Sequence, residues 1–322
     1  MNHANSYILI LGIAGWIMSA GTPDVLTKPG TDAVAESRLR VLGPPELYAR
    51  GIASAASTDV KVTFSPDGSR MLWGCIGRTG GPGGWDIFES TKGDAGWGAP
   101  RPVAFNSAAN DFDPFFTPDG SGVYFFSNRP GGFGKDDLWF APFDAQAGAY
   151  GEPKNLGAGV NSAGGEWAPV VSPDGTRLLF ASDGRGGAGK HDLFIATKGS
   201  DGTWGNAKNL GAAVNTAEED FDATFLHDRG TLILSCGNLD GPDVGLYVVY
   251  DRGRGFQERT RLPVDVNAPG SWTFGPSIHP REPGFLYFTS KRSGGEGGMD
   301  IYRIRYVLEE RSKQHGSRSE AK

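Results

Sequence analysis

The sequence predicts an all-β fold made of repeated four-stranded units. Three observations carry this. A turn string recurs at a near-constant spacing, the apolar runs between turns have strand length, and glycine concentrates in periodic loops. The turn strings are Ser65-Pro66-Asp67-Gly68, Thr117-Pro118-Asp119-Gly120 and Ser172-Pro173-Asp174-Gly175. Two worn copies follow at His227-Asp228-Arg229-Gly230 and His279-Pro280-Arg281-Glu282. The first four aspartates stand 52, 55 and 54 residues apart. A period of that size marks a repeat architecture.

The second unit reads most clearly. Asp113-Pro114-Phe115-Phe116 leads into the Pro-Asp-Gly turn, where Pro presets φ, Asp bonds nearby backbone and Gly accepts φ > 0. Val123-Tyr124-Phe125-Phe126-Ser127 is rich in aromatic and branched residues and reads as a strand. The loop Asn128-Arg129-Pro130-Gly131-Gly132 precedes a further strand, Asp137-Leu138-Trp139-Phe140, and Asn155-Leu156-Gly157 closes the unit. Four short strands between turn signals make one propeller blade. The third unit repeats this through Glu166-Trp167, Arg185-Gly186-Gly187 and Asp192-Leu193-Phe194. The first carries Arg78 and Asp86, and the fifth carries Arg292 and Asp300. The fourth is degenerate, with Asn238-Leu239-Asp240-Gly241 in place of the Arg-x-Gly-Gly loop.

The expected architecture is a single β-propeller of about five four-stranded blades. A six-bladed ring is the alternative and needs one more repeat than the chain displays. The fifth unit lacks an outer strand, and Pro45–Ile52 resembles the outer-strand segment of the others. An N-terminal strand is therefore expected to join the last blade, which removes the free edge.

This pattern (Pro-Asp-Gly turn, aromatic strand, then Arg-x-Gly-Gly-x-Gly-x-x-Asp and Leu or Ile) resembles the TolB-type, WD-repeat-like β-propeller family over roughly Leu47 to Tyr306. The resemblance implies an exported, envelope-associated module that binds proteins. It does not imply one activity, because one fold hosts many functions. No Gly-x-Ser-x-Gly nucleophile elbow occurs in the sequence.

The 322 residues carry a net charge of −6, which argues against a nucleic-acid partner. The apolar run Tyr7–Ala20 is 14 residues long, short of the roughly 20 a membrane span needs. It ends in small residues suited to signal-peptidase cleavage. The reading is a signal peptide over 1–20, a linker over 21–44, the propeller over 45–306 and a charged tail over 307–322. The mature chain is then periplasmic or secreted. An uncleaved anchor is the alternative. Cys75 and Cys236 fall at one repeat position in non-adjacent blades, so two separate thiols are expected.

Candidate binding residues lie before each inner strand and in the loops that share its face. They are the acids Asp111, Glu166 and Asp220, the second aligned pair Asp113 and Asp222, and Trp167 with its aromatic counterparts Phe112, Phe221 and Phe274. Arg129, Arg185 and Arg292 complete the set. Arg suits bidentate pairing with carboxylates, so a scaffold role bridging neighbouring blades competes with ligand binding. The expected function is a non-catalytic binding module for an envelope protein or peptide, with a glycan as another candidate and a monomer as the expected state. No catalytic set, metal site or cofactor is assigned. Calcium at the channel mouth is the one cation considered, and no EF-hand-like spacing supports it. The alternative is a carbohydrate-active hydrolase that uses carboxylates in the funnel. A metal-filled hydrolase or lactonase channel is a further one.

Overall fold

The structure is a computed structural model that describes residues 37–310 except 252 and 254. The expected signal segment, the linker up to residue 36 and the tail from residue 311 lie outside the described residues.

Five antiparallel sheets make five blades, and none of the described residues is helical. Each inner strand packs against the inner strand of the next blade, and the fifth returns to the first. The inner strands are Thr58–Phe64, Asp111–Phe116, Glu166–Val171, Glu219–Phe225 and Thr273–Ile278. Second strands run over Arg70–Ile76, Gly122–Ser127, Arg177–Ser182, Thr231–Gly237 and Phe285–Ser290. Third strands begin at Trp85, Asp137, Asp192, Val244 and Asp300. The outer strands of the first four blades are short, as with Lys154–Asn155 and Lys208–Asn209.

The fifth blade is closed by Ser37–Leu47, which pairs antiparallel with Asp300–Glu310. The closing strand therefore begins inside the segment read as linker, ahead of the expected Pro45–Ile52, and its partner extends past residue 306. The sequence hid this because Gly43-Pro44-Pro45 looks like a breaker. On an edge strand the missing proline N–H faces no partner, and the register shifts there, between Leu42 and Glu46. Leu39 is buried in the core, and its N–H donates to the Tyr250 hydroxyl of the fourth blade at 2.8 Å.

The turn strings behave as their residues dictate. The Ser65 hydroxyl donates to Asp67 at 2.5 Å, the Ser69 N–H donates to the same carboxylate at 3.0 Å, and Gly68 has φ 71°. These bonds, the Ser65 one largest, hold the Asp67 carboxyl down at about 2. The loops after the second strands seal the blades to one another. A Cβ on Gly83 or Gly134 would collide with the carbonyl oxygen of Ala109 or Gly164 in the lead-in to the following blade. The repeated aspartate of each loop caps it. Asp137 accepts the Phe133 and Gly134 amides, and Asp192 accepts those of Ala188 and Gly189. Cys75 and Cys236 are both buried free thiols.

Deleting residues 37–47 is expected to expose the 300–310 edge, lower the melting temperature by well over 10 °C and cause self-association. Calorimetry and size-exclusion chromatography measure both. An unchanged melting temperature would show that closure contributes little.

Candidate functional site

Each inner strand carries a β-bulge or register irregularity near its third residue. The shifts fall between Val60 and Val62, Phe112 and Phe115, Trp167 and Val170, Asp220 and Asp222, and Phe274 and Ser277. Bulges re-aim side chains. Lys61, Asp113 and Ala168 take φ 45°, 49° and 52°, a left-handed conformation uncommon for residues other than glycine. The aligned positions, from the first blade to the fifth, are Lys61, Asp113, Ala168, Asp222 and Gly275.

Three of these bring charge together. Lys61 Nζ donates to Asp222 Oδ1 at 2.5 Å, joining the first and fourth blades. Both side chains are almost wholly buried, at 1% and 3% exposure. The Lys61 N–H donates to Thr289 Oγ1 at 2.9 Å. A Cβ on Gly275 would stand 3.4 Å from the Lys61 Cβ, so the fifth blade gives the lysine room by having no side chain there. Asp113 is the third charged member. It is half-buried, and no hydrogen bond holds its carboxylate among the described residues. Burial pushes the Asp113 carboxyl up, with Lys61 opposing. Burial also raises Asp222, to about 7, against the pull of Lys61 and with a push from Asp113. Of the two carboxyls, Asp222 is the one that accepts the Lys61 bond.

Above this layer, on the face of the Arg-x-Gly-Gly loops, lies a cavity of about 310 Å³. Its floor includes Asp113 and Asp222. Its wall is aromatic, formed by Trp85, Phe112, Phe126, Trp167, Phe221, Trp272 and Phe274. The rings support one another. Trp85 lies 5.0 Å from Phe112, Phe126 6.2 Å from Trp167, and Phe221 5.8 Å from Phe274. Trp167 is stacked on His191 at 3.9 Å and donates its indole N–H to Asp136 at 2.9 Å. Trp272 donates to the Gly241 carbonyl at 2.6 Å. Past the charged layer, near the opposite face, a second cavity of about 290 Å³ is lined by Phe64, Phe116, Phe225 and His227 among others. Among the described residues no group of three or more His, Cys, Asp or Glu is placed to hold a metal ion.

The remaining sequence candidates sit behind the wall. Asp111, Glu166 and Asp220 are fully buried. Asp111 accepts the Ser107 amide at 2.5 Å and Arg129 at 2.5 Å. Glu166 accepts the Ser162 amide at 2.9 Å and the Ser182 hydroxyl at 2.7 Å. Asp220 accepts the Thr216 amide at 2.6 Å and Arg259 at 2.7 Å. Each acid thus fastens the lead-in segment to its own inner strand. Asp59 does the same in the first blade, with Trp73 Nε1 donating at 2.9 Å, and the sequence reading missed it.

Where a loop arginine pairs with the acid, as Arg78 does with Asp59 and Arg129 with Asp111, the pair lies within one blade, and the expected bridge between neighbours is made by other contacts. The guanidinium crosses to the previous blade by binding carbonyls of its outgoing connection. Arg129 reaches Phe105 O at 3.0 Å, Arg185 reaches Val160 O at 2.6 Å, and Arg292 reaches Val266 O at 2.5 Å. The sequence reading also missed Lys61, Trp85 and Trp272. Alignment of Lys61 with Asp113 and Asp222 was the available signal, since a cation stands where two repeats place an acid.

No protein-family model matches the chain, and no curated protein matches it. Among solved structures it is similar to TolB from Acinetobacter baumannii, at 16% identity and TM-score 0.46, covering 78% of this chain and 55% of that one. A putative TolB from Agrobacterium tumefaciens matches at 14% identity and TM-score 0.46, covering 77% and 90%. The α-L-arabinofuranosidase PaAbf62A from Podospora anserina, solved with cellotriose, matches at 14% and 0.48, covering 83% and 95%. The chain spans little more than half of the Acinetobacter protein.

Two predictions follow from the charged layer. Lys61→Met leaves Asp222 buried without its cation and is expected to cost about 3–5 kcal/mol. Lys61→Met with Asp222→Leu should recover most of that in denaturant unfolding, and equal losses in both variants would remove the pair from its central place. Asp113→Asn tests the raised carboxyl. Below the ordinary value of 3.8 the folded and unfolded carboxyls are both protonated. Above it the unfolded chain ionises first, so wild-type stability falls as pH rises towards the folded value. The asparagine variant should therefore gain on wild type over the range of rising pH above that ordinary value, by at most about 1.4 kcal/mol per unit. A flat difference across that range would show that Asp113 is not raised.

Proposed function

We propose that the chain is a non-catalytic, exported β-propeller that binds a partner or ligand through the face bearing the aromatic pocket. The observation that supports this is the pocket itself, an aromatic funnel with Asp113 and Asp222 among its lining residues. Mostly apolar walls with a few placed polar groups are the common form of a ligand site. The repeat's resemblance to the TolB-type family and the apolar run Tyr7–Ala20 support an envelope setting, periplasmic or secreted. An envelope protein or peptide is the favoured partner, with a glycan as the other. The protein acts as a monomer and needs no cofactor in this reading.

One observation favours a second reading. Asp113 and Asp222 share the pocket floor with both carboxyls raised by burial. A protonated carboxyl near an ionised one is the layout that glycoside hydrolysis uses. A carbohydrate-active hydrolase would then use these two, since they line the pocket and Asp111, Glu166 and Asp220 do not.

Affinity capture from an envelope extract, comparing wild type with Trp85→Ala and Asp113→Asn, separates the readings. A partner held by wild type and lost from both variants is the expected result. Equal capture by all three would move binding off this face. Glycoside turnover by wild type, abolished in Asp113→Asn, would favour the hydrolase.

A further inference from the structure

We infer that the pocket on the loop face is built for a small organic cation, an alkylated ammonium group seated against Asp113. The inference rests on the reading of that pocket as the binding site and names the chemistry of its occupant.

The first observation is the wall. Trp85, Trp167 and Trp272 from three blades, with phenylalanines between them, surround the space above the charged layer. Aromatic faces carry partial negative charge and attract cations, most strongly where water is excluded. The second observation is the charge on the floor. Lys61 Nζ donates to Asp222 Oδ1 at 2.5 Å. Asp113 lines the same pocket, and no hydrogen bond holds its carboxylate among the described residues. With both carboxylates ionised, one lysine faces two aspartates, so the layer carries one uncompensated negative charge. An incoming cation would balance it.

The same wall argues against other occupants. An inorganic cation such as calcium needs six to eight oxygen ligands, and this wall presents mainly aromatic and aliphatic carbon. An anion would meet the excess negative charge. A compact, strongly hydrated ammonium would lose its water for few hydrogen bonds. An alkylated ammonium is weakly hydrated and presents methyl groups to rings while its charge faces the carboxylate. A cavity of about 310 Å³ lies at the small end of ligand pockets and suits such a head group with a short stem.

The titratable side chains lining this pocket are Asp113 and Asp222, with Lys61 against the latter. A bound cation favours ionised Asp113, so binding should release a proton and tighten as pH rises.

Titration calorimetry of the purified chain with choline, tetramethylammonium and the uncharged carbon isostere of choline tests the inference. In the isostere a tert-butyl group replaces the trimethylammonium. Trp fluorescence provides the second readout. The expected result is that both cations bind, that the isostere binds at least about tenfold more weakly, and that Asp113→Asn loses a similar factor. Trp85→Ala should weaken the cations as well. Trp85 is 38% exposed, so the change leaves the buried core residues in place. Equal binding of choline and its isostere, or full choline affinity in Asp113→Asn, would overturn the cation while leaving the pocket as a binding site. Failure of all three probes would also overturn it, and the envelope capture would then decide the pocket's role independently.

Discussion

The centre of the ring depends on one buried ion pair. Lys61 reaches from the first blade to Asp222 of the fourth, so two sheets that are not neighbours are tied across the middle. Removing both charges from water is costly and is offset only by close geometry and further hydrogen bonds. Asp113 adds a second carboxyl, which burial pushes up and Lys61 pulls down. The left-handed backbone at Lys61 and Asp113 is the local strain that brings these side chains together. The aromatic pocket and the second cavity then lie on either side of a polar layer that neither could supply from its own walls.

Most of the architecture was legible in the sequence because the repeat writes it several times. The Pro-Asp-Gly turns, the aromatic strands and the loop glycines each have a local cause that survives without tertiary knowledge. The five-blade count followed from the third strands. The closing strand was harder, because Pro44 and Pro45 read as a break until an edge position removes their penalty. The site was legible only in part. Phe112, Trp167, Phe221, Asp113 and Asp222 were named because they recur. Lys61 was passed over because it is the odd member of its column, and a search for repetition discards odd members. Yet the odd member is where a symmetric scaffold acquires a particular chemistry.

The degenerate fourth blade shows how the scaffold tolerates such drift. Its loop has no arginine in the usual place, and Asp220 would be left buried without a cation. Arg259, near the outer strand, fills that role from another direction at 2.7 Å and also lies over the Tyr247 ring. In the fifth blade the acid is replaced by Thr273, and Arg292 keeps its carbonyl contacts, a bond to the Ser290 hydroxyl and its place over the Phe288 and Tyr302 rings. The requirement is therefore electrostatic closure around each lead-in segment. The residue that provides it can change so long as no charge is stranded in the core.

The pairing of Ser37–Leu47 with Asp300–Glu310 also bears on how the chain reaches its native state. Arg40 and its partner Glu309 are 269 positions apart. The first strand of the ring therefore waits for its last, and the five sheets cannot lock into a ring before Asp300–Glu310 has been made. Contacts of such sequence separation slow folding, because the loop must close before its reward arrives. Until then the third strand of the fifth blade has an open edge, and its partner near the N-terminus is unpaired. A chain of this design stays an open arc until its two distant strands meet, and only then becomes a closed ring.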